Sequence, residues 1–184
     1  MDTTAPIIRT HRTAVFAALA LVAALLLALV NPAGAQARSA IPPRTATEIS
    51  YARAIEKLLN SERAAHHLKP VTMRASLINS ARGHDLTMSH ADTMSHQLRG
   101  EPALGSRLDE VGYHWIWAGE NIGWNSDMSE AGVLMLQKEM YNELPPENGH
   151  RLNILSPHYT NLGVDVYLDA AHHKVWLTVD FGRL

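Results

Sequence analysis

The stretch HWIWAGENIGWN, His114 to Asn125, sets one carboxylate, Glu120, inside a tract that carries three of the chain's four tryptophans. Desolvating a carboxylate among indoles is costly unless a cation or hydrogen-bond donor pairs with it. Three sources could provide that partner: the Ser89–His96 segment, the Glu139–His150 segment and the arginines. His96 stands in MSHQLRG, and His150 follows Gly149 in ENGHRLNIL, where a residue without a side chain lets backbones approach closely. Glu139 and Glu143 are four apart, which puts both on one face of a helix. Two imidazoles and two carboxylates are donors that suit a divalent cation, zinc above all. No HExxH or other close-set ligand pair of that type is present, so the fold has to gather these groups from remote segments.

The elements that would position them can be read from periodicity. Thr45 and Glu48 have the spacing of a capping box, and Ala52, Ile55, Leu58 and Leu59 then recur with helical period, which predicts a helix from Ala46 to Ala65. A second helix is expected from Arg74 to Ser89, with Leu77, Ile78, Ala81, Asp85 and Met88 on one face and His84 beside them. One short helical turn fits Ser106 to Val111, and Gly119 to Trp124 reads as an extended run between glycines. A third helix, Ser129 to Glu143, carries Val133, Leu136 and Met140. The period then changes to two: Val164, Val166 and Leu168 alternate with polar neighbours, and Val175, Leu177, Val179 and Phe181 do so again after a short loop, the mark of a hairpin. Helices first and antiparallel strands last predict an α+β or layered α/β sandwich.

Composition limits the function classes. The chain has 184 residues, a formal net charge of -2 and no cysteine. It shows no cluster of lysine and arginine, which argues against a nucleic-acid partner. Arg9, His11 and Arg12 precede the apolar run Ala14 to Val30, and Ala35-Gln36-Ala37 forms an A-x-A cleavage site. The expected organisation is a signal peptide over 1–37, a linker over 38–45 and one domain over 46–184, exported and without a membrane anchor once the leader is removed. Neither a G-x-S-x-G elbow nor a cysteine nucleophile is present.

GENIG at 119–123, SH at 95–96 and GHRLNIL at 149–155 followed by SPHYTNLGVDV resemble the CAP superfamily, the group of cysteine-rich secretory proteins, insect venom antigens and plant pathogenesis-related proteins. LLNSERAAHHLKPV (58–71) is similar to the opening helix of its bacterial secreted members, and VDFG (179–182) also fits. The resemblance implies a three-layer α-β-α sandwich with a central antiparallel sheet and a cleft lined by two histidines and two glutamates. Matched residue by residue, these are His96, His150 and Glu120, with Glu143 as the second glutamate. The family sets that residue in a W-x-x-E context; here Met140 replaces the tryptophan, and Glu139 remains the alternative.

On this reading Glu120 faces His96 and His150 across the cleft and orients one of them, or shares a cation with it, so that metal affinity falls below about pH 6. Trp115, Trp117 and Trp124 are read as packing residues, His84 as a core or rim histidine, Asn121 as a brace for Glu120, and Met135 and Met140 as core filler. The functional expectation is a monomeric extracellular binding module that holds a divalent metal, zinc by chemistry, and a lipid or other small apolar ligand, the latter implied by the resemblance. A metal-dependent hydrolase using the same cleft is the alternative, and a wall-associated interaction protein the third class.

Overall fold

The structure is a computed structural model that describes residues 41–184; the expected leader and the first residues of the linker lie outside the described residues. Helix α1 (Ala46–Ala65) starts at Thr45, where the capping box closes in both directions. Thr45 Oγ1 accepts from the Glu48 N–H at 3.2 Å, and Glu48 Oε2 accepts from the Thr45 N–H at 2.7 Å. Its Ala52, Ile55 and Leu59 are completely buried, one apolar stripe at helical spacing. Helix α2 (Ala75–Ala91) ends at Asp92, which adopts the left-handed conformation that aspartate tolerates better than most residues. Helices α3 (Leu104–Glu110), α4 (Glu130–Tyr141) and α5 (Gly149–Ile154) follow; α4 is capped by Ser129, whose hydroxyl accepts from the Gly132 N–H.

Four strands form one sheet: β1 (Thr72–Met73), β2 (Trp117–Asn125), β3 (Asn161–Asp169) and β4 (Lys174–Arg183), in the order β1-β3-β4-β2. β3 and β4 are the expected hairpin, β2 adds antiparallel to β4, and the two-residue β1 adds parallel to β3. The sheet is therefore antiparallel except at one short edge. Neither β1 nor α5 was legible from periodicity, because both are shorter than the window in which a period shows.

Helices cover both faces of the sheet. Val164, Val166, Val175, Leu177, Val179 and Phe181 pack against Ile55 and Leu59 of α1, Val133 and Leu136 of α4 and Ile154 of α5 in the main core. The alternation along β3 and β4 would suit a sheet with one solvated face. Here the second face is also buried, under α2. Asp165, Thr178 and Asp180 are fully enclosed, and this layer combines polar pairing with an apolar cluster of Met88, Ile122 and Trp176. Thr178 Oγ1 donates to Asp85 at 2.5 Å, and Arg82 reaches both Glu48 and Asp165 at 3.3 Å. Burial and the adjacent Asp165 push the Asp85 carboxyl well above the usual carboxylate range. Gly163 makes the close approach of α2 possible, because a Cβ there would run into the backbone of Leu77. The result is an α-β-α sandwich with β2 as its long free edge.

Candidate functional site

Glu120 lies in the middle of β2 and is almost completely enclosed, with 2% of its side chain exposed. Its cross-strand partner is Asp180, so both acids face α2. His96, in the segment between α2 and α3, places Nδ1 2.8 Å from Glu120 Oε1, while Arg107 of α3 donates from Nη2 to Oε2 at 2.5 Å. Behind them His84 of α2 is fully buried, with Nδ1 2.7 Å from Glu101 Oε1 and Nε2 3.8 Å from Glu120 Oε1. Burial alone would raise the Glu120 pKa. The hydrogen bond from His96 and the charges of His84 and Arg107 outweigh it and hold the carboxyl below its ordinary value. The opposite holds for Asp180, which burial and the neighbouring Glu120 push well up. Glu120 is thus the ionised member of two facing acids.

His150 is the second residue of α5 and takes its carboxylate from Glu143, just beyond the end of α4. The imidazole Nδ1 is 2.5 Å from Glu143 Oε1, and the His150 backbone N–H donates to Oε2 at 3.0 Å. Glu139, the alternative at the sequence level, lines the adjoining groove without making this contact. A short relay ties α5 to β2: Asn121 Nδ2 donates to the His150 carbonyl at 3.1 Å, and Asn153 Nδ2 donates to Asn121 Oδ1 at 2.9 Å and to the Glu120 carbonyl at 3.2 Å. Successive residues of a strand point to opposite faces, so Glu120 serves the α2 side and Asn121 the α5 side. The two histidine–glutamate pairs straddle the β2 edge. A groove of about 300 Å³ adjoins the His150–Glu143 pair, lined also by Met94, Ile122, Trp124, Leu136 and Met140. Gly123 lets Met140 of α4 pack closely on β2, since a Cβ there would stand 2.9 Å from Met140 Cε.

The four expected residues therefore form two pairs, His96 with Glu120 and His150 with Glu143. Among the described residues no three histidine, aspartate or glutamate side chains gather as a ligand cluster for one ion. Both oxygens of each glutamate are engaged in hydrogen bonds, and each imidazole has its Nδ1 against a carboxylate, which leaves Nε2 as its metal-binding nitrogen. These residues fit a cation held by imidazole and oriented by carboxylate, rather than one caged by four side chains.

Glu101 carried no sequence signal, Arg107 was marked only as one of the arginines, and His84 is buried as a core histidine. Trp115 and Trp117 pack as expected: the Trp115 indole donates to the Gly105 carbonyl, and Trp117 stacks on His158 at 4.1 Å. Trp124 is 43% exposed.

Helices on both faces of a mainly antiparallel sheet make an α-β-α sandwich, with two histidine–glutamate pairs at its β2 side. The chain belongs to the cysteine-rich secretory protein family, whose model matches residues 56–181. It is 29% identical over 155 residues to YkwD of Bacillus subtilis (strain 168), described as an uncharacterized protein, covering 83% of this chain and 55% of that one. An extracellular protein containing a SCP domain from Bacillus anthracis str. Ames superposes with a TM-score of 0.64 at 29% identity, over 78% of this chain and 45% of the other. The chain thus spans about half the length of these two relatives. NaASP2, crystallised with Zn2+, shares the fold with a TM-score of 0.57 at 14% identity, over 77% of this chain and 84% of that one. Among the described residues no helix is long and apolar enough to cross a membrane.

Proposed function

We propose that this protein is an exported, non-enzymatic binding module that holds a divalent cation, zinc by donor chemistry, at His96 and His150 and accepts a small apolar ligand in the adjoining groove. The observation that carries the reading is the pairing of both imidazoles through Nδ1. A carboxylate at 2.8 Å from His96 and another at 2.5 Å from His150 fix ring orientation and tautomer and reserve Nε2 for a metal. Glu120 and Glu143 act from the outer shell, and their charge offsets part of the cation's. When bound, the cation would supply a Lewis-acidic centre with coordination positions left for water or a polar ligand group. The zinc present in the crystal of NaASP2, a protein of the same fold, supports testing zinc before other metals. Export is supported by the leader-like N-terminal sequence and by the extracellular description of the anthracis relative. The apolar part of the reading rests on the groove wall, where Met94, Ile122, Leu136 and Met140 contribute side chains without charge.

Isothermal titration of the purified protein with zinc tests the metal site, and equilibrium binding of a fluorescent fatty acid tests the groove. Zinc binding that is lost in His96→Ala and His150→Ala supports the assignment. Binding unchanged by both substitutions would overturn it.

A further inference from the structure

The free edge of β2 is protected along half its length and left open along the other half. Alternation of hydrogen bonds fixes which residues point outward. The Arg183 carbonyl accepts from Ile116 and the Gly182 carbonyl accepts from Thr160, so the odd-numbered residues of β4 bond towards β2 and the even-numbered ones towards β3. In β2 the odd-numbered residues are therefore satisfied by β4, and Ala118, Glu120, Ile122 and Trp124 turn their main-chain groups away from the sheet. Tyr159 covers the carbonyl of Ala118 at 3.2 Å, and Asn153 covers that of Glu120 at 3.2 Å. Among the described residues no side chain or loop bonds the main chain of Ile122 or Trp124.

Open strand edges are usually blunted by shortness, proline, lysine or a bulge. The opposite edge, β1, is two residues long. β2 runs for nine residues as WAGENIGWN, with no proline or lysine, and its register with β4 is unbroken. The open half coincides with the apolar groove: Ile122 and Trp124 belong to its wall, Met94 at 49% exposure and Trp124 at 43% form its rim, and Glu139 and Glu143 make one side acidic.

We propose that the groove is a docking site for an extended peptide that adds to β2 as a fifth strand. Its main chain pairs with Ile122 and Trp124, an apolar side chain packs against the exposed Met94 and Trp124, and a lysine or arginine faces Glu139. Main-chain pairing supplies affinity and the alternating pockets supply selectivity. The inference rests on the reading that this groove takes an apolar ligand, and it names that ligand's class.

The test uses a short capped peptide in which valine alternates with threonine and lysine, the same peptide N-methylated at alternate amides, and a fluorescent fatty acid. Binding is read by tryptophan fluorescence and by amide hydrogen exchange at Ile122 and Trp124. The unmodified peptide is expected to bind saturably and to protect both amides. N-methylation, by removing main-chain hydrogen bonds without altering side chains, should cost about tenfold or more in affinity. Trp124→Lys, an edge-blocking change on an exposed side chain, should weaken the peptide while leaving zinc binding at the histidines unchanged. Equal binding of the N-methylated peptide overturns the proposal. So does saturable binding of the fatty acid alone, which would leave the apolar-ligand reading standing; binding of neither probe removes both. Amide protection that grows with protein concentration in the absence of peptide would assign the edge to a second copy of the chain and also overturn it.

Discussion

Arg107 Nη2 donates to Glu120 Oε2 at 2.5 Å with both side chains almost fully enclosed, and this contact lets an ionised acid stay inside the sandwich. Truncating one partner of a buried pair leaves the other charge without compensation, at a cost of about 3–5 kcal/mol. Arg107→Ala is therefore expected to destabilise the fold by that amount in denaturant titrations. Glu120→Gln, which removes the charge instead of stranding it, should cost less.

The α2–sheet contact depends on the missing side chain of Gly163. Gly163→Ala drives a methyl into the Leu77 backbone, which a rigid helix cannot yield to as a side chain could. Overpacking of this kind costs about 1–3 kcal/mol, so thermal unfolding should shift to lower temperature. An unchanged transition would mean that α2 rides further from β3 than described.

Asp169 closes the β3–β4 hairpin. Its carboxylate accepts from Ser89, from the imidazole and backbone N–H of His172, and from the Trp176 indole. Burial would raise its pKa, but these donors together hold it well below the ordinary 3.8. A depressed carboxyl stabilises the fold above its unfolded-state pKa, and that contribution is lost as the pH falls below 3.8 through the folded value. Stability measured from neutral pH into acid should therefore decline less steeply in Asp169→Asn than in the native chain.

The difference between what could be read in the sequence and what could not follows physical range. α1 was legible to the residue because its cap and its apolar period are both local. The β3–β4 hairpin was legible because two alternating runs flank one short loop. The parallel addition of β1 depends on residue 161 and beyond, and no local pattern announces it. The site followed the same division. GENIG and GHRLNIL pointed to Glu120 and His150, and helical spacing put Glu139 and Glu143 together, but only the fold decides that Glu143 is the one that meets His150. Arg107 and His84, which together with His96 lower the Glu120 pKa, lie on other elements, and the sequence marked them only as one of the arginines and as a core or rim histidine. The burial of the polar face of β3 and β4 was hidden too, because an alternating pattern is written the same way whether water or a polar helix face lies above it.

Zinc titration of the native protein and its site variants bears most directly on the metal site. The native protein is expected to bind zinc at neutral pH and to lose about 10–100-fold in affinity in Glu120→Gln or Glu143→Gln, the substitutions that release the imidazoles from their carboxylates. His96→Ala combined with His150→Ala should abolish binding. No binding at neutral pH, or an affinity that ignores all four residues, would contradict the claim that the β2 edge is a metal-holding cleft.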